Sequence, residues 1–252
     1  MPIKSVVIAA AVGTASMVSA AVAADTPSIV LVHGAWANGS SWSEVIPLLQ
    51  KQGLHVVAVH NPSSSFEADV AATRRVIADQ PGDVVLVGHS YGGAVITEAG
   101  NSDKVRALVY VAAFAPAAGQ SVNAIVAAAP EPPPWQGELH ADATGWLTWS
   151  APGMAKYFAP DVTPEAAALL AATQAPLFSG AFDGKVTEPA WSKKPSWYVI
   201  ADKDQIIPPP LQEIFADAMH ATTIHAAASH VAMLSQPQVV ADAIIAAATQ
   251  AP

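Results

Sequence analysis

Short runs of consecutive apolar residues alternate with longer stretches whose apolar positions recur every three to four residues, and this alternation begins just after Pro27. Runs that stay apolar at every position suit strands buried on both faces, while the 3.6-residue period suits amphipathic helices. Their regular succession predicts an α/β domain, a mostly parallel sheet covered by helices. Strands are predicted over 28–33, 55–59, 83–87, 105–112, 196–201 and 222–225, and helices over 41–52, 66–80, 91–100, 209–219 and 237–248. Pro81-Gly82 supplies a turn before the third strand.

The rhythm breaks from about 115 to 194. Pro130, Pro132, Pro133 and Pro134 interrupt any long element there, and the segment holds eight aromatic residues, among them Trp135, Trp149, Phe158 and Phe182. The expectation is an inserted, partly helical cap whose aromatics mostly pack it onto the sheet, with a few left to line a pocket. No internal repeat or long linker divides the chain, so one domain is expected over 25–252.

The first 24 residues read differently. Lys4 precedes an apolar run from Val6 that ends in small residues before Asp25. A basic start, an apolar stretch and a small-residue end form the pattern of a secretory leader. A membrane anchor of about 20 residues is the competing reading, but Gly13, Thr14, Ser16 and Ser19 dilute the run. Cleavage near Asp25, an exported product (periplasmic or secreted) and no lasting membrane anchor are therefore expected.

Composition narrows the chemistry. The chain of 252 residues is 52% hydrophobic and 12% charged, and it has no Cys, which removes thiol nucleophiles, thiolate zinc sites and disulfides together. Its 20 acidic and 11 basic residues give a net charge of −9, and such a surface repels phosphate backbones, so nucleic acid is not an expected partner.

The strongest local signal is Gly88-His89-Ser90-Tyr91-Gly92-Gly93, set between a predicted strand and a predicted helix. It matches the G-x-S-x-G nucleophile elbow in the context that pattern requires. Ser90 would occupy a sharp, strained turn, with glycines letting strand and helix approach. A serine hydroxyl is a weak nucleophile and needs a histidine base oriented by a carboxylate. In this architecture the partners follow in the order Ser, Asp, His, each in a loop after a strand. Asp202 and Asp204 both follow the strand at 196–201, and His230 follows the next one. Only one of the two acids can orient the base; Asp204 is preferred and Asp202 is expected to be a solvated turn acid. An oxyanion hole would take the N–H of Tyr91, directly after the nucleophile, and an N–H from the loop after the first strand, here Ala35 in His33-Gly34-Ala35-Trp36.

Other residues receive plainer readings. His55, His60, His140, His220 and His225 are expected to be structural, because the 220/225/230 spacing fits no common zinc pattern. His89 is expected to touch the sheet or a neighbouring loop. Asn38-Gly39-Ser40 matches a glycosylation sequon, a short pattern given little weight.

With these pieces in order, the chain resembles the α/β-hydrolase superfamily over nearly all of 25–252. Within it, the chain is similar to the small esterase and hydroxynitrile lyase group that includes plant methyl salicylate esterases and bacterial pyrethroid esterases. The matching segments are Val32-His33-Gly34-Ala35-Trp36 with Trp42 downstream, Gly88 to Gly93, Asp204-Gln205-Ile206-Ile207-Pro208, and His230-Val231-Ala232-Met233-Leu234-Ser235-Gln236-Pro237. The resemblance implies Ser90 as nucleophile, His230 as base, Asp204 as acid, and the amides of Ala35 and Tyr91 as oxyanion donors. The similar lyases carry a Lys directly after the base and tend to lack a His before the nucleophile; Val231 and His89 therefore favour ester hydrolysis. The expectation is a serine carboxylic-ester hydrolase that works without metal or organic cofactor on small-molecule hydrophobic esters. Lactone, amide, perhydrolytic or carbon–carbon cleavage on the same triad, and a non-catalytic binding protein of the same fold, are the alternatives.

Overall fold

A computed structural model describes residues 26–251; the expected leader over 1–24 lies outside them. In chain order the elements begin with β1 (Ser28–Val32), α1 (Ile46–Lys51), β2 (Val56–Val59), α2 (Phe66–Asp79), β3 (Val84–His89), α3 (Tyr91–Ala99) and β4 (Val105–Val111). The cap follows with α4 (Val122–Ala127), β5 (Leu139–Ala141), β6 (Trp146–Trp149), α5 (Ala151–Gly153), α6 (Pro164–Thr173) and β7 (Leu177–Phe178). The chain then returns through β8 (Ser196–Ala201), α7 (Pro209–Ala218), β9 (Thr222–Ala226), α8 (Ala232–Ser235) and α9 (Pro237–Gln250).

Six strands form one sheet in the order β2-β1-β3-β4-β8-β9, with every neighbouring pair parallel. Every residue of β1, β3 and β8 is buried, as their unbroken apolar runs require, while β9 at the edge leaves Thr222, Thr223 and His225 exposed. The helices start where their sequences stop competing for the backbone. The Ser65 side chain accepts from the N–H of Ala68 at the head of α2, and Ser121 does the same for Ala124 at the head of α4. Pro237 opens α9 at a position where its missing N–H costs nothing.

The strand order reverses between β1 and β3, since β1 leads outward to β2 while β3 leads the other way to β4. The loops leaving the carboxyl ends of two such strands diverge and leave a crevice, the usual place for a ligand in an open α/β sheet. Ala35 stands on the loop after β1 and Ser90 on the loop after β3.

Two local features differ from expectation. The stretch predicted as one helix over 41–52 is a 3₁₀ turn at Gly39–Trp42 followed by α1, with Pro47 in the first turn of the later helix. The cap is not helical alone, for β5, β6 and β7 form an antiparallel three-stranded sheet. Those strands have only two to four residues, too short for a period of two to stand out in sequence. Asn38 spends its side-chain oxygen within the 3₁₀ turn, accepting from the Ser40 N–H at 2.9 Å and the Ser40 hydroxyl at 2.7 Å. Among the described residues no helix is long and apolar enough to cross a membrane.

Candidate active site

The turn from β3 into α3 is built by what it lacks. A Cβ on Gly88 would lie 2.6 Å from the Gly92 carbonyl oxygen, and one on Gly92 would lie 2.6 Å from the carbonyls of Val32 and His33. Only glycine at both places lets the strand, the turn and the first helical turn close so tightly. Ser90, between them, adopts φ +54° and ψ −125°. Such a backbone costs about 1–3 kcal/mol and persists because its surroundings hold it. Here the Ser90 carbonyl accepts from Gly93 at 2.9 Å and from Phe114 at 3.1 Å, while its own N–H donates to Val111 at 3.3 Å.

The three side chains meet. The Oγ of Ser90 lies 2.8 Å from Nε2 of His230, and Nδ1 of His230 lies 2.8 Å from Oδ2 of Asp204. All three residues are buried, His230 completely. The loops carrying Asp204 and His230 reach this register because they continue the β8–β9 pairing beyond the strands: the Asp202 N–H donates to the Ala226 carbonyl and the Lys203 N–H to the Ala228 carbonyl, each at 2.9 Å. Asp204 is therefore the carboxylate on the imidazole. Asp202 turns outward and pairs with His225 at 2.7 Å, both side chains well exposed.

Besides the imidazole, three donors hold the Asp204 carboxyl. Its Oδ1 accepts from the amides of Ile206 at 2.7 Å and Ile207 at 3.1 Å, and its Oδ2 accepts from the side chain of Gln212 at 3.0 Å. Fully buried Gln212 also donates to the Ile207 carbonyl and accepts from the Ala201 N–H, so one amide fixes both ends of the acid loop. Nothing in the sequence marks Gln212, because a place one turn into a helix gives no local sign that the residue faces Asp204.

His89, beside Ser90, touches the loop that carries His230, in keeping with the expected contact to a neighbouring loop. Its Nε2 donates to the His230 carbonyl at 2.8 Å, and the two rings lie 4.7 Å apart. Burial, reinforced by the nearby His230, holds the His89 imidazole well below its ordinary pKa, so it is neutral. His33 is likewise neutral: burial lowers its pKa to about 4. Its Nδ1 donates to the Gly34 carbonyl at 2.8 Å and its Nε2 accepts from the Asn61 N–H at 3.1 Å, which fixes the loop carrying Ala35.

Among the described residues neither the Ala35 nor the Tyr91 amide has a hydrogen-bond partner. Tyr91 is the first residue of α3, where a helical N–H is left free and the helix end is electropositive. Both residues, with Ser90, line a cavity of about 510 Å³, within the range of small-molecule sites. Trp36, Phe114, Trp135 and Phe182 give it an apolar wall, and among the described residues Glu131 is the one charged side chain on its lining. Of the cap aromatics, Trp149 and Phe158 pack against Trp36, while Trp135 and Phe182 also face the cavity. Among the described residues no cluster of three or more His, Asp or Glu is arranged to hold a metal ion.

A model of the alpha/beta hydrolase family matches residues 29–243, which spans the whole sheet and the cap. The chain belongs to that family. Among individual relatives, this α/β-hydrolase is 34% identical to the carbendazim hydrolyzing esterase of a Nocardioides strain, over 39% of this chain and 47% of that protein. The chain thus aligns with about half the length of that relative. With methylesterase 2 of Arabidopsis thaliana the identity is 26%, over 87% of this chain and 95% of the relative. The crystal structure of a pyrethroid hydrolase from Sphingobium faniae superposes with a TM-score of 0.77 at 23% identity, covering 90% of this chain and 98% of that one. At that identity the likeness speaks for the shared fold.

Proposed function

We propose that this α/β-hydrolase is a serine carboxylic-ester hydrolase in which Ser90 forms an acyl-enzyme, His230 moves the proton and Asp204 orients the base. One observation carries the reading: the unbroken relay from Ser90 through His230 to Asp204 opens onto a cavity also lined by Ala35 and Tyr91, whose amides have no partner among the described residues.

Catalysis would begin as Ser90 Oγ attacks the ester carbonyl while Nε2 of His230 takes its proton. Nδ1–H of His230 stays on Asp204, which stabilises the imidazolium. Negative charge gathering on the carbonyl oxygen would be met by the N–H groups of Ala35 and Tyr91, and one such donor is commonly worth about 10²–10³-fold in rate. Collapse of the tetrahedral species breaks the bond to the alkoxy oxygen, which leaves with the proton from His230. A water deprotonated by His230 then releases the acid and restores Ser90.

The lining argues for the substrate class. An apolar cavity with a single carboxylate, Glu131, favours neutral hydrophobic acyl or aryl esters over anionic ones. Buried Val231 occupies the position after the base, so no side-chain cation stands there to stabilise a departing anion such as cyanide. Esterases among the relatives, which include those named for carbendazim and for methyl esters, support the same class.

A fluorophosphonate probe should label Ser90, mapped by mass spectrometry, and p-nitrophenyl acetate and butyrate should turn over many times per enzyme. Ser90→Ala should abolish labelling and lower turnover by at least about 10³-fold. Equal turnover by the two proteins would overturn the mechanism, and turnover confined to lactones or amides would overturn the bond assigned.

A further inference from the structure

We infer that Asp161 of the cap is a positioning residue for the base, holding His230 through Ser229; the inference rests on the hydrolase reading above. Ser229, directly before His230, is fully buried, and both of its hydrogen-bonding donors go to one carboxylate. Its N–H donates to Oδ2 of Asp161 at 2.6 Å and its hydroxyl donates to Oδ1. No part of β8, β9 or the acid loop makes this contact; it comes from the cap, 68 residues earlier in the chain.

The same stretch of cap reaches the imidazole itself. Phe158, three residues before Asp161 and at the end of a π-helical turn (Met154–Phe158), stands edge-on to the His230 ring with centroids 4.9 Å apart and planes at 76°. On the other side, His89 holds the His230 carbonyl. Asp204 fixes one nitrogen of the ring but leaves the peptide that carries it to be placed by others. Asp161 and His89 fix that peptide before and after the base, and Phe158 limits the swing of the ring.

The cap is tied to the opposite side of the site as well. The indole N–H of Trp36, next to Ala35, donates to the Leu147 carbonyl in β6 at 3.0 Å. One inserted segment thus holds the loop of the oxyanion amide at one end and the loop of the base at the other. Displacement of a catalytic group by about 1 Å commonly costs about 10²-fold. A cap that merely closed the cavity would govern binding, whereas a cap that places the base governs the chemical step.

The test separates those roles. In Asp161→Ala, kcat for p-nitrophenyl butyrate should fall about 10- to 100-fold with KM within about twofold, and fluorophosphonate labelling of Ser90 should slow in parallel. Ser229→Ala, which keeps the backbone N–H, should lose less, and the double variant should be no worse than Asp161→Ala because both changes remove one contact. A rise in KM with kcat intact, or additive losses, would overturn the inference. A second reading needs no turnover: the Nδ1 proton of His230, shared with Asp204, should give a downfield proton resonance that broadens in Asp161→Ala, and an unchanged resonance would equally overturn it. Failure of the wild-type protein to label at Ser90, with that resonance broadened in the variant, would instead sink the hydrolase reading and leave the clamp standing.

Discussion

The hydroxyl of Tyr91 donates to Oδ2 of Asp69 at 2.9 Å, which ties the residue after Ser90 to α2. Asp69 is fully buried, and its other oxygen accepts from the Ser63 N–H at 2.7 Å. Burial raises the Asp69 carboxyl to about 6 in spite of those two bonds, and burial beside Asp69 pushes the Tyr91 hydroxyl up, so it remains a donor. Tyr91→Phe leaves a buried carboxylate short of a partner when Asp69 is charged. At pH 8 it should destabilise the protein by about 2 kcal/mol, and at pH 5, where Asp69 carries its own proton, by clearly less. Urea unfolding at the two pH values checks this, and equal losses would contradict it.

Asp69 and His33 should pull the stability profile in opposite directions. The folded-state pKa of Asp69 is raised from 3.8 to about 6, so the stability it lends at low pH is lost as pH rises through that window. That of His33 is lowered from 6.5 to about 4, so the unfolded chain binds a proton that the native state refuses, and stability is lost as pH falls through that window. Each shift corresponds to about 3 kcal/mol, and the two largely cancel between pH 4 and 6. In Asp69→Asn the His33 contribution should stand uncovered, and unfolding free energy should climb more steeply with pH from 4 to 6.5 than in wild type. A slope no steeper than wild type would show that burial does not raise the Asp69 carboxyl.

The two neighbouring acids of the β8–β9 crossover should respond oppositely to the same change. Asp204→Asn should reduce kcat by about 10⁴-fold, because the amide no longer selects the Nδ1–H tautomer of His230. Asp202→Asn loses only an exposed contact with His225 and should leave kcat within about twofold. Gln212→Leu keeps the volume but strips the Ala201 N–H and Asp204 of a buried partner each; it should cost about 2–4 kcal/mol and lower kcat without a matching change in KM. Steady-state kinetics with thermal melts on the three variants reads all of these outcomes.

Much of this was written in local sequence. The strands at 28–32, 84–89 and 196–201 are apolar at nearly every position because both faces are covered, and an unbroken run is visible without knowing what covers it. The elbow was equally plain, since contacts at Gly88 and Gly92 exclude any side chain and leave a spaced glycine signature around Ser90. Between Asp202 and Asp204 the sequence offered only a preference. The choice depends on how β8 and β9 continue their pairing past the sheet, a relation between segments more than twenty residues apart. The cap strands, Gln212 and the Asp161–Ser229 contact left still less trace, for a polar residue in a short element looks the same whether it faces water or a buried partner.

The amino-acid sequence therefore determined the strands of the main sheet and their order, the strained serine and the family to which the chain belongs, because periodicity and steric exclusion act over a few neighbouring residues. Tertiary structure alone decided which carboxylate meets the imidazole, which glutamine and aspartate hold the loops, and which aromatics face the cavity. Those outcomes depend on distances between segments remote in the chain, and a hydrogen bond worth having is set by a few tenths of an ångström that no local pattern encodes.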